Sequence, residues 1–247
     1  MRITRRAQLA IRSLLAAAVF AVLLPLIFGV FNAVRTDGDG WESGEVVPLP
    51  TPNETGDVSV EKAITNRRSR REYGEDALTR DELGQLLWAA QGVTEQTSGL
   101  RAAPSAGALH PLELYAIVGT PGVKDIETGV YHYRPEKHEI VCGDSGNVQS
   151  ELRAAALDQE DIEEAPVDIV VCAVDERTTP KYGERGRKRY VPMEAGHVGE
   201  NLYLQAEALG LATVSIGAFE DERVQDIVGI PTTQRPLYIF PVGRSRR

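Results

Sequence analysis

The chain has 247 residues, of which 42% are hydrophobic and 26% are charged, and its formal net charge at pH 7 is −9. This length suits one good-sized domain with an appendage, and the composition is that of a globular protein. The acidic balance argues against non-specific binding to nucleic acid, and the two cysteines lack the spacing of metal ligands. We therefore expect neither a nucleic-acid partner nor a metal.

The first 35 residues predict a membrane segment. Residues Ser13 to Val34 carry no charge, and as a helix they would extend about 33 Å, enough to cross a bilayer core. Arginines precede this segment and acidic residues follow it, which predicts a cytoplasmic N-terminus and a domain outside the cytoplasm. The sequence thus predicts a single-pass anchor over residues 1–35. A buried helix of a globular domain, and a domain on the cytoplasmic face, are the alternatives.

Two further regions follow the predicted anchor. Residues 36–57 are rich in Gly, Pro, Thr and acidic side chains, a composition that is typical of a flexible polar linker. Residues 58–247 have the periodic apolar pattern of a folded domain.

The elements of this domain are predicted from its apolar periodicity. A capping box formed by Thr79 and Glu82 opens an amphipathic helix over Arg80–Gln91, which Gly92 ends. Other helices are predicted at Val58–Asn66, Val148–Leu157, Pro192–Leu209 and Asp221–Val228. Strands are predicted at Leu112–Val118, Gly129–Tyr133, His138–Cys142, Val167–Val174, Leu211–Ile216 and Leu237–Val242. Helices and strands interleave without strict alternation, which favours an α+β layered domain over a Rossmann fold.

A cluster of basic residues follows the first predicted helix of the domain. Arg67, Arg68, Arg70 and Arg71 surround Ser69. Guanidinium groups bind phosphate oxygens in pairs, and a hydroxyl adds a further hydrogen bond, so this segment is a candidate phosphate site. The alternative is a solvated basic patch that pairs with the protein's own carboxylates.

A second candidate ligand-binding segment runs from Ala103 to Pro111. Pro104 and Pro111 bracket a run of small residues that leads directly into the strand Leu112–Val118. Small side chains let backbone N–H groups and a hydroxyl approach a flat or anionic ligand. An ordinary connecting turn is the alternative.

Five motifs in order resemble the nitroreductase family over about Val58 to Arg247. They are Arg67-Arg68-Ser69-x-Arg71, Ala103-Pro104-Ser105-Ala106-Gly107, Glu194-Ala195-Gly196-His197, Ile216-Gly217-Ala218-Phe219 and Pro241-Val242-Gly243-Arg244. The stretches Pro104 to Pro111 and Tyr182 to Gly186 are similar to the SagB-type, thiazole-forming dehydrogenase branch. The resemblance implies an FMN-binding α+β fold, with an antiparallel or mixed central sheet flanked by helices. It also implies a homodimer that builds two flavin sites at its interface.

The resemblance also implies roles for individual residues. The FMN phosphate and ribityl chain would be held by Arg67, Arg68, Ser69 and Arg71, together with Arg244. The flavin ring would be lined on one side by Ser105, Ala106, Gly107 and Leu109, and its N5 edge would meet Ile216, Gly217 and Ala218. Lys181 and Tyr182 would be the catalytic, proton-transferring pair. No metal site is implied.

The function expected from the resemblance is that of a membrane-anchored, FMN-dependent oxidoreductase. It would transfer hydride through flavin N5 by a ping-pong route, with NAD(P)H or a quinol as electron donor. One alternative is a catalytically silent flavin-binding or redox-sensing module. A second alternative is an interaction domain without flavin, whose arginines bind lipid phosphates.

Overall fold

The computed structural model of the chain describes Trp41 and residues 44–246, which all belong to the second of its two units, Gly38–Arg247. The helices described are α1 (Val60–Asn66), α2 (Arg80–Gln91), α3 (Gln149–Ala155), α4 (Glu160–Glu164), α5 (Thr179–Arg185), α6 (Val191–Ala208) and α7 (Asp221–Val228). The strands described are β1 (Val46–Pro48), β2 (Val93–Glu95), β3 (Leu100–Arg101), β4 (Leu112–Val118), β5 (Gly129–Arg134), β6 (Glu139–Ser145), β7 (Val167–Val174), β8 (Leu211–Thr213) and β9 (Gln234–Arg244).

One antiparallel sheet organises the described part of the chain. Its strand order is β1-β6-β5-β4-β7-β9-β8, and β2 and β3 form a separate hairpin. The two largely buried strands, β4 and β7, lie together at the centre, with Leu112 opposite Ala173 and Val118 opposite Val167. Helices cover the sheet, so the predicted α+β class is confirmed, and the sheet is antiparallel rather than mixed.

The helix α2 begins as its sequence predicts. The Thr79 hydroxyl accepts the N–H of Glu82 at 3.2 Å, and the Glu82 carboxylate accepts the N–H of Thr79 at 2.8 Å. This reciprocal pair satisfies two of the N–H groups that a helix start leaves without partners. The buried face of α2, which includes Leu83, Leu86 and Leu87, packs into the main core.

The longest described helix, α6, packs closely against the sheet. Its buried residues Ala195, Val198, Leu202 and Ala206 recur at helical spacing and share one core with β4, β7 and β9. A Cβ on Gly199 would lie 3.0 Å from the Phe240 ring, so the missing side chain sets how closely helix and strand approach. This packing fixes α6 as the support for the site described below.

The second half of the predicted linker is structured. Residues 46–48 form β1 and pair with β6, with Val46 opposite Val141. Leu49 is buried and its N–H donates to the carbonyl of His138 at 3.0 Å. The composition of residues 36–57 hid this edge strand, because its stability comes from pairing with β6 rather than from its own three residues.

The predicted membrane segment, residues 13–34, lies outside the described residues. In the part of the chain that is described, no helix combines the length and the apolar character needed to cross a bilayer. The predicted localisation as a single-pass membrane protein with an extracytoplasmic catalytic domain is therefore not borne out by the described residues.

Candidate functional site

The arginine segment, residues 67–71, lies across the C-terminal half of α6. The Arg67 guanidinium carbon lies 5.0 Å from the centroid of the Tyr203 ring, a cation–π distance. The Ser69 Oγ lies 2.9 Å from the Tyr203 hydroxyl, and the N–H of Arg70 donates to the carbonyl of Thr213 at 3.0 Å. The segment is therefore held by α6 on one side and by the end of β8 on the other.

The arginines of this segment differ in how they are paired. Arg70 forms a 2.6 Å ion pair with Glu207. Arg68 donates instead to two backbone carbonyls, those of Thr65 and Arg67. Among residues 41 and 44–246, Arg67 and Arg68 have no carboxylate within 4.0 Å, and the exposed Arg71 reaches Asp161 only at 3.9 Å. Three guanidinium groups thus have capacity to bind an anion.

Tyr203 joins the arginine segment to the loop after β8. Its hydroxyl accepts the N–H of Ser215 at 2.8 Å, and it lies 3.3 Å from the Ser215 Oγ. The next residue, Ile216, exchanges two backbone hydrogen bonds with Ile239 of β9, at 2.8 and 2.9 Å. The structure therefore brings two predicted groups together, residues 67–71 and residues 216–218.

Tyr203 was missed in the sequence analysis. Within α6 it lies next to the apolar stripe, in the position of a core aromatic residue. The one signal that could have identified it is its hydroxyl, because a tyrosine at the edge of a buried stripe needs a polar partner.

The side chain of Arg244, the fifth predicted phosphate ligand, is paired with a carboxylate of α2. Its two terminal nitrogens pair with the two carboxylate oxygens of Glu82, and the Nη2–Oε2 distance is 2.8 Å. Glu82 is also the capping residue of α2, so this ion pair ties the end of β9 to the start of that helix. A phosphate-binding role for Arg244 stays a prediction.

The second predicted loop, Ser105 to Leu109, is a short 3₁₀ turn with unusual backbone angles. Gly107 has a φ of 68°, and Ala108 follows with a φ of 53°. The Ser105 Oγ accepts the N–H of His110 at 2.9 Å, which closes the turn. A Cβ on Gly107 would lie 2.6 Å from the Lys181 Nζ and 2.8 Å from the Tyr182 hydroxyl oxygen. The predicted catalytic pair therefore lies directly against the predicted ring-binding loop.

The N-terminal half of α6 supports this loop. Glu194 is buried, and its Oε1 has no hydrogen-bond partner among the described residues. Burial raises the pKa of Glu194, although nearby Ser105 and Gln91 oppose the shift. His197 donates from Nδ1 to the carbonyl of Pro104 at 3.3 Å. The loop is thus held by the His197–Pro104 hydrogen bond and lies near a carboxyl group that burial favours in its neutral form.

The two parts of the predicted site occupy different ends of α6. Glu194 faces the Ser105 loop, whereas Tyr203 faces the arginine segment. Nine residues separate them, about 14 Å along the helix axis. Within the described residues, no three histidine, cysteine, aspartate or glutamate side chains are grouped so that they could hold a metal ion.

Comparison with protein families and known proteins identifies the fold. Residues 64–244 match the Nitroreductase family. A protein of Methanocaldococcus jannaschii named as a nitroreductase is 45% identical over 202 residues, covering 82% of this chain and 98% of the relative. The trifolitoxin-processing protein TfxB of Rhizobium leguminosarum is 32% identical over 149 residues, covering 58% of this chain and 39% of TfxB.

Solved structures agree. A nitroreductase of Ralstonia eutropha superposes with a TM-score of 0.72 at 25% identity, covering 82% of this chain and 90% of that structure. A nitroreductase of Anabaena variabilis superposes with a TM-score of 0.72 at 29% identity, covering 87% of this chain and 45% of that structure. A chain of the Escherichia coli microcin synthetase complex McbBCD superposes with a TM-score of 0.63 at 24% identity. The match covers 83% of this chain and 80% of that one, which shows a shared fold. The chain belongs to the nitroreductase family and is an oxidoreductase of that family.

Proposed function

We propose that the chain is an FMN-dependent oxidoreductase that passes a hydride from NAD(P)H to a small or peptide-like acceptor by a ping-pong route. The observation that carries this proposal is a set of three guanidinium groups, on Arg67, Arg68 and Arg71, to which no carboxylate of the described residues comes nearer than 3.9 Å. Such a set is suited to a phosphate group, which needs several donors and positive charge.

The remaining donors also suit FMN. Ser69 presents a hydroxyl beside the arginines, and it is oriented by the Tyr203 hydroxyl. Across the proposed ring site, Ser105, Ala106, Gly107 and Leu109 would line one face, and Ile216, Gly217 and Ala218 would meet an edge. Small residues at these positions let backbone N–H groups approach a flat ring. When bound, FMN supplies hydride acceptance and donation at its N5 position.

Lys181 and Tyr182 are proposed to exchange protons with the acceptor. Both of their polar atoms lie within about 3 Å of the point that a Gly107 side chain would occupy, so both face the proposed ring-binding loop. Lys181 also lies 5.2 Å from the centroid of the Tyr182 ring, which keeps the two groups together.

A homodimer is part of this proposal. The arginine segment and the Ser105 loop lie at different ends of α6, about 14 Å apart by helix geometry. The resemblance to the nitroreductase family implies flavin sites at a dimer interface, and we propose that each site combines the arginine segment of one protomer with the Ser105 loop of its partner.

Membership of the SagB-type branch is a finer proposal within the same function. It is supported by the 32% identity to TfxB, whose name describes the processing of trifolitoxin. We infer a peptide-like acceptor from this similarity.

Anaerobic reduction of the purified protein tests the function. We expect NADPH or NADH to bleach the bound flavin, and a nitroaromatic acceptor to restore its colour in a second, separate phase. Arg67→Gln and Arg71→Gln should each lower FMN affinity about tenfold or more, since each removes a charged hydrogen-bond donor. Arg223→Gln, at an exposed arginine of α7, is the matched control. Flavin that no nicotinamide reduces would favour a silent flavin-binding module.

A further inference from the structure

A polar pocket of about 370 Å³ lies next to the Ser105 loop. Leu109 and His110 of that loop form one wall, and Arg101, Arg177 and the β5–β6 turn at Glu136 form others. The volume is at the lower end of the range for small-ligand sites, about 300 to 1,000 Å³. Of the residues assigned above to flavin, this pocket shares Leu109.

Two of the three arginines in the pocket are firmly neutralised. Arg177 pairs with Glu113, whose side chain is 11% exposed and also binds His132 at 2.8 Å. Burial opposes ionisation of Glu113, but the His132 hydrogen bond and Arg177 outweigh it and lower its pKa. Arg134 lies 3.4 Å from Glu139, which is 12% exposed. Lys137 also lies 3.8 Å from Glu139, so that carboxylate is shared, but a ligand at either arginine would have to displace a largely buried carboxylate.

Arg101 is paired differently. Its side chain is only 10% exposed, and one terminal nitrogen donates to the Gln91 Oε1 at 3.1 Å. The other nitrogen lies 2.8 Å from the carboxylate of Glu136, which is 67% exposed in the turn after β5. An exposed partner of this kind contributes little free energy, because solvent screens the ion pair and the side chain loses entropy. The Glu136 carboxylate therefore marks a position where another carboxylate fits and can replace it.

His110 supplies a second group without a partner. Its Nδ1 is buried, and it has no hydrogen bond to any of residues 41 and 44–246. The imidazole is held in place by its own backbone, since the His110 N–H donates to Ser105 and its carbonyl accepts from Arg177 at 2.9 Å. Burial and then Arg101 lower the pKa of His110, while Glu136 raises it.

We propose that this pocket, whose wall includes His110, binds a small molecule through a single carboxylate group, which displaces Glu136 from Arg101. A carboxylate is favoured over a phosphate for two reasons. Displacing Glu136 frees only one positive charge, that of Arg101, and the group that Arg101 binds at present is itself a carboxylate. The site goes beyond the proposed flavin function and does not require flavin to be bound.

Calorimetric titration of the full chain at low ionic strength tests the site with three probes that share a benzene ring. They are benzoate, the neutral benzamide, and phenyl phosphate, which carries close to two charges at pH 8. We expect benzoate to bind about tenfold or more tightly than either of the others. Equal affinity for benzoate and benzamide, or no benzoate binding, would overturn the proposal.

Substitutions of the two partners of the Arg101–Glu136 ion pair should change benzoate affinity in opposite directions. Arg101→Gln should weaken benzoate binding about tenfold or more, because it removes the charged donor. Glu136→Gln should strengthen it several-fold, because it removes the competing carboxylate from an exposed position that the fold does not need. Arg223→Gln should leave benzoate affinity unchanged. Benzoate binding that neither variant of the pair alters would place the probe elsewhere and refute the pocket.

The same titrations separate this site from the flavin function. Arg67→Gln should lower FMN content while leaving benzoate affinity unchanged. A chain that takes up no FMN but shows the benzoate pattern would refute the flavin proposal alone. A chain that holds FMN but binds benzoate no better than benzamide would refute the pocket alone.

Discussion

The hydroxyl of Tyr203 lies 2.9 Å from the Oγ of Ser69, 134 residues away in the sequence. The same hydroxyl accepts the N–H of Ser215 at 2.8 Å, so one atom of α6 connects the arginine segment to the loop after β8. Both connected segments contain residues predicted to hold FMN. The position of this tyrosine thus determines how the two segments face each other.

Replacement of this tyrosine by phenylalanine tests that connection. We expect Tyr203→Phe to weaken FMN binding several-fold and to lower the free energy of unfolding by about 1 kcal/mol, since the Ser215 N–H loses its acceptor. Fluorescence titration with FMN and urea unfolding measure the two effects. The control is Tyr131→Phe on β5, which removes a hydroxyl that donates to the carbonyl of Glu127 and should change stability only. Equal FMN affinity in both variants would refute the connecting role.

Glycine 107 provides a test of the catalytic pair. Gly107→Ala and Gly99→Ala both place a Cβ on a residue with positive φ, 68° and 67°, at a cost of about 1 kcal/mol each. Only the Cβ at position 107 would meet Lys181 and Tyr182, because position 99 faces open space. We expect turnover to fall about tenfold or more in Gly107→Ala and to be retained in Gly99→Ala. Similar steady-state rates for both variants would show that Lys181 and Tyr182 do not act at this loop.

The pairing of Arg244 with Glu82 predicts a coupled effect on stability. Glu82→Gln keeps a capping side chain but removes the charge that Arg244 binds, and Arg244→Gln removes the other partner. We expect each change to lower the free energy of unfolding by about 1 kcal/mol, and the double variant to cost less than the sum. Strict additivity in urea unfolding would mean that the ion pair contributes nothing. FMN titration of Arg244→Gln tests its predicted phosphate role at the same time.

Asp168 predicts a pH dependence of stability. It lies fully buried in β7, where its Oδ2 accepts from the Gln149 Nε2 at 2.8 Å, and burial raises its pKa well above the ordinary 3.8. The folded protein therefore holds a proton that the unfolded chain releases above about pH 4, so this contribution to stability is complete below pH 4 and is lost as pH rises.

Asp168→Asn removes that titration. We expect the variant to gain stability relative to the natural protein as the pH is raised from 4 to 8, measured by urea unfolding at each pH. The exposed Asp76→Asn serves as the control and should show a constant difference. A constant difference for Asp168→Asn as well would mean that the carboxyl is ionised in the folded state.

Much of the fold follows from local sequence signals. The limits of α2, β4, β7 and α7 agree with their predictions, because a capping box, a largely apolar run or a glycine at the helix end marks them. Strand β1 and helix α4 were missed for a common reason. Each is too short for a periodic pattern: β1 has three residues and depends on pairing with β6, and α4 has five residues, of which Ile162 is the buried apolar one.

The site was predictable only in its parts. Sequence motifs identify Arg67, Ser105 and Gly217 as candidates, but they say nothing of Tyr203, whose role arises from contacts between distant segments. The ion pair of Arg244 with Glu82 was equally hidden. Glu82 is already explained by its role in capping α2, and Arg244 lies near the C-terminus, where a cation needs no partner. Tertiary packing decides such cases.

The visible absorption spectrum of the purified full chain, followed by heat release and identification of any bound flavin, tests most directly whether this nitroreductase-family chain holds FMN. We predict a yellow protein with the two flavin absorption bands, which releases FMN in a one-to-one ratio to the chain. A colourless protein that also fails to take up added FMN would contradict this prediction.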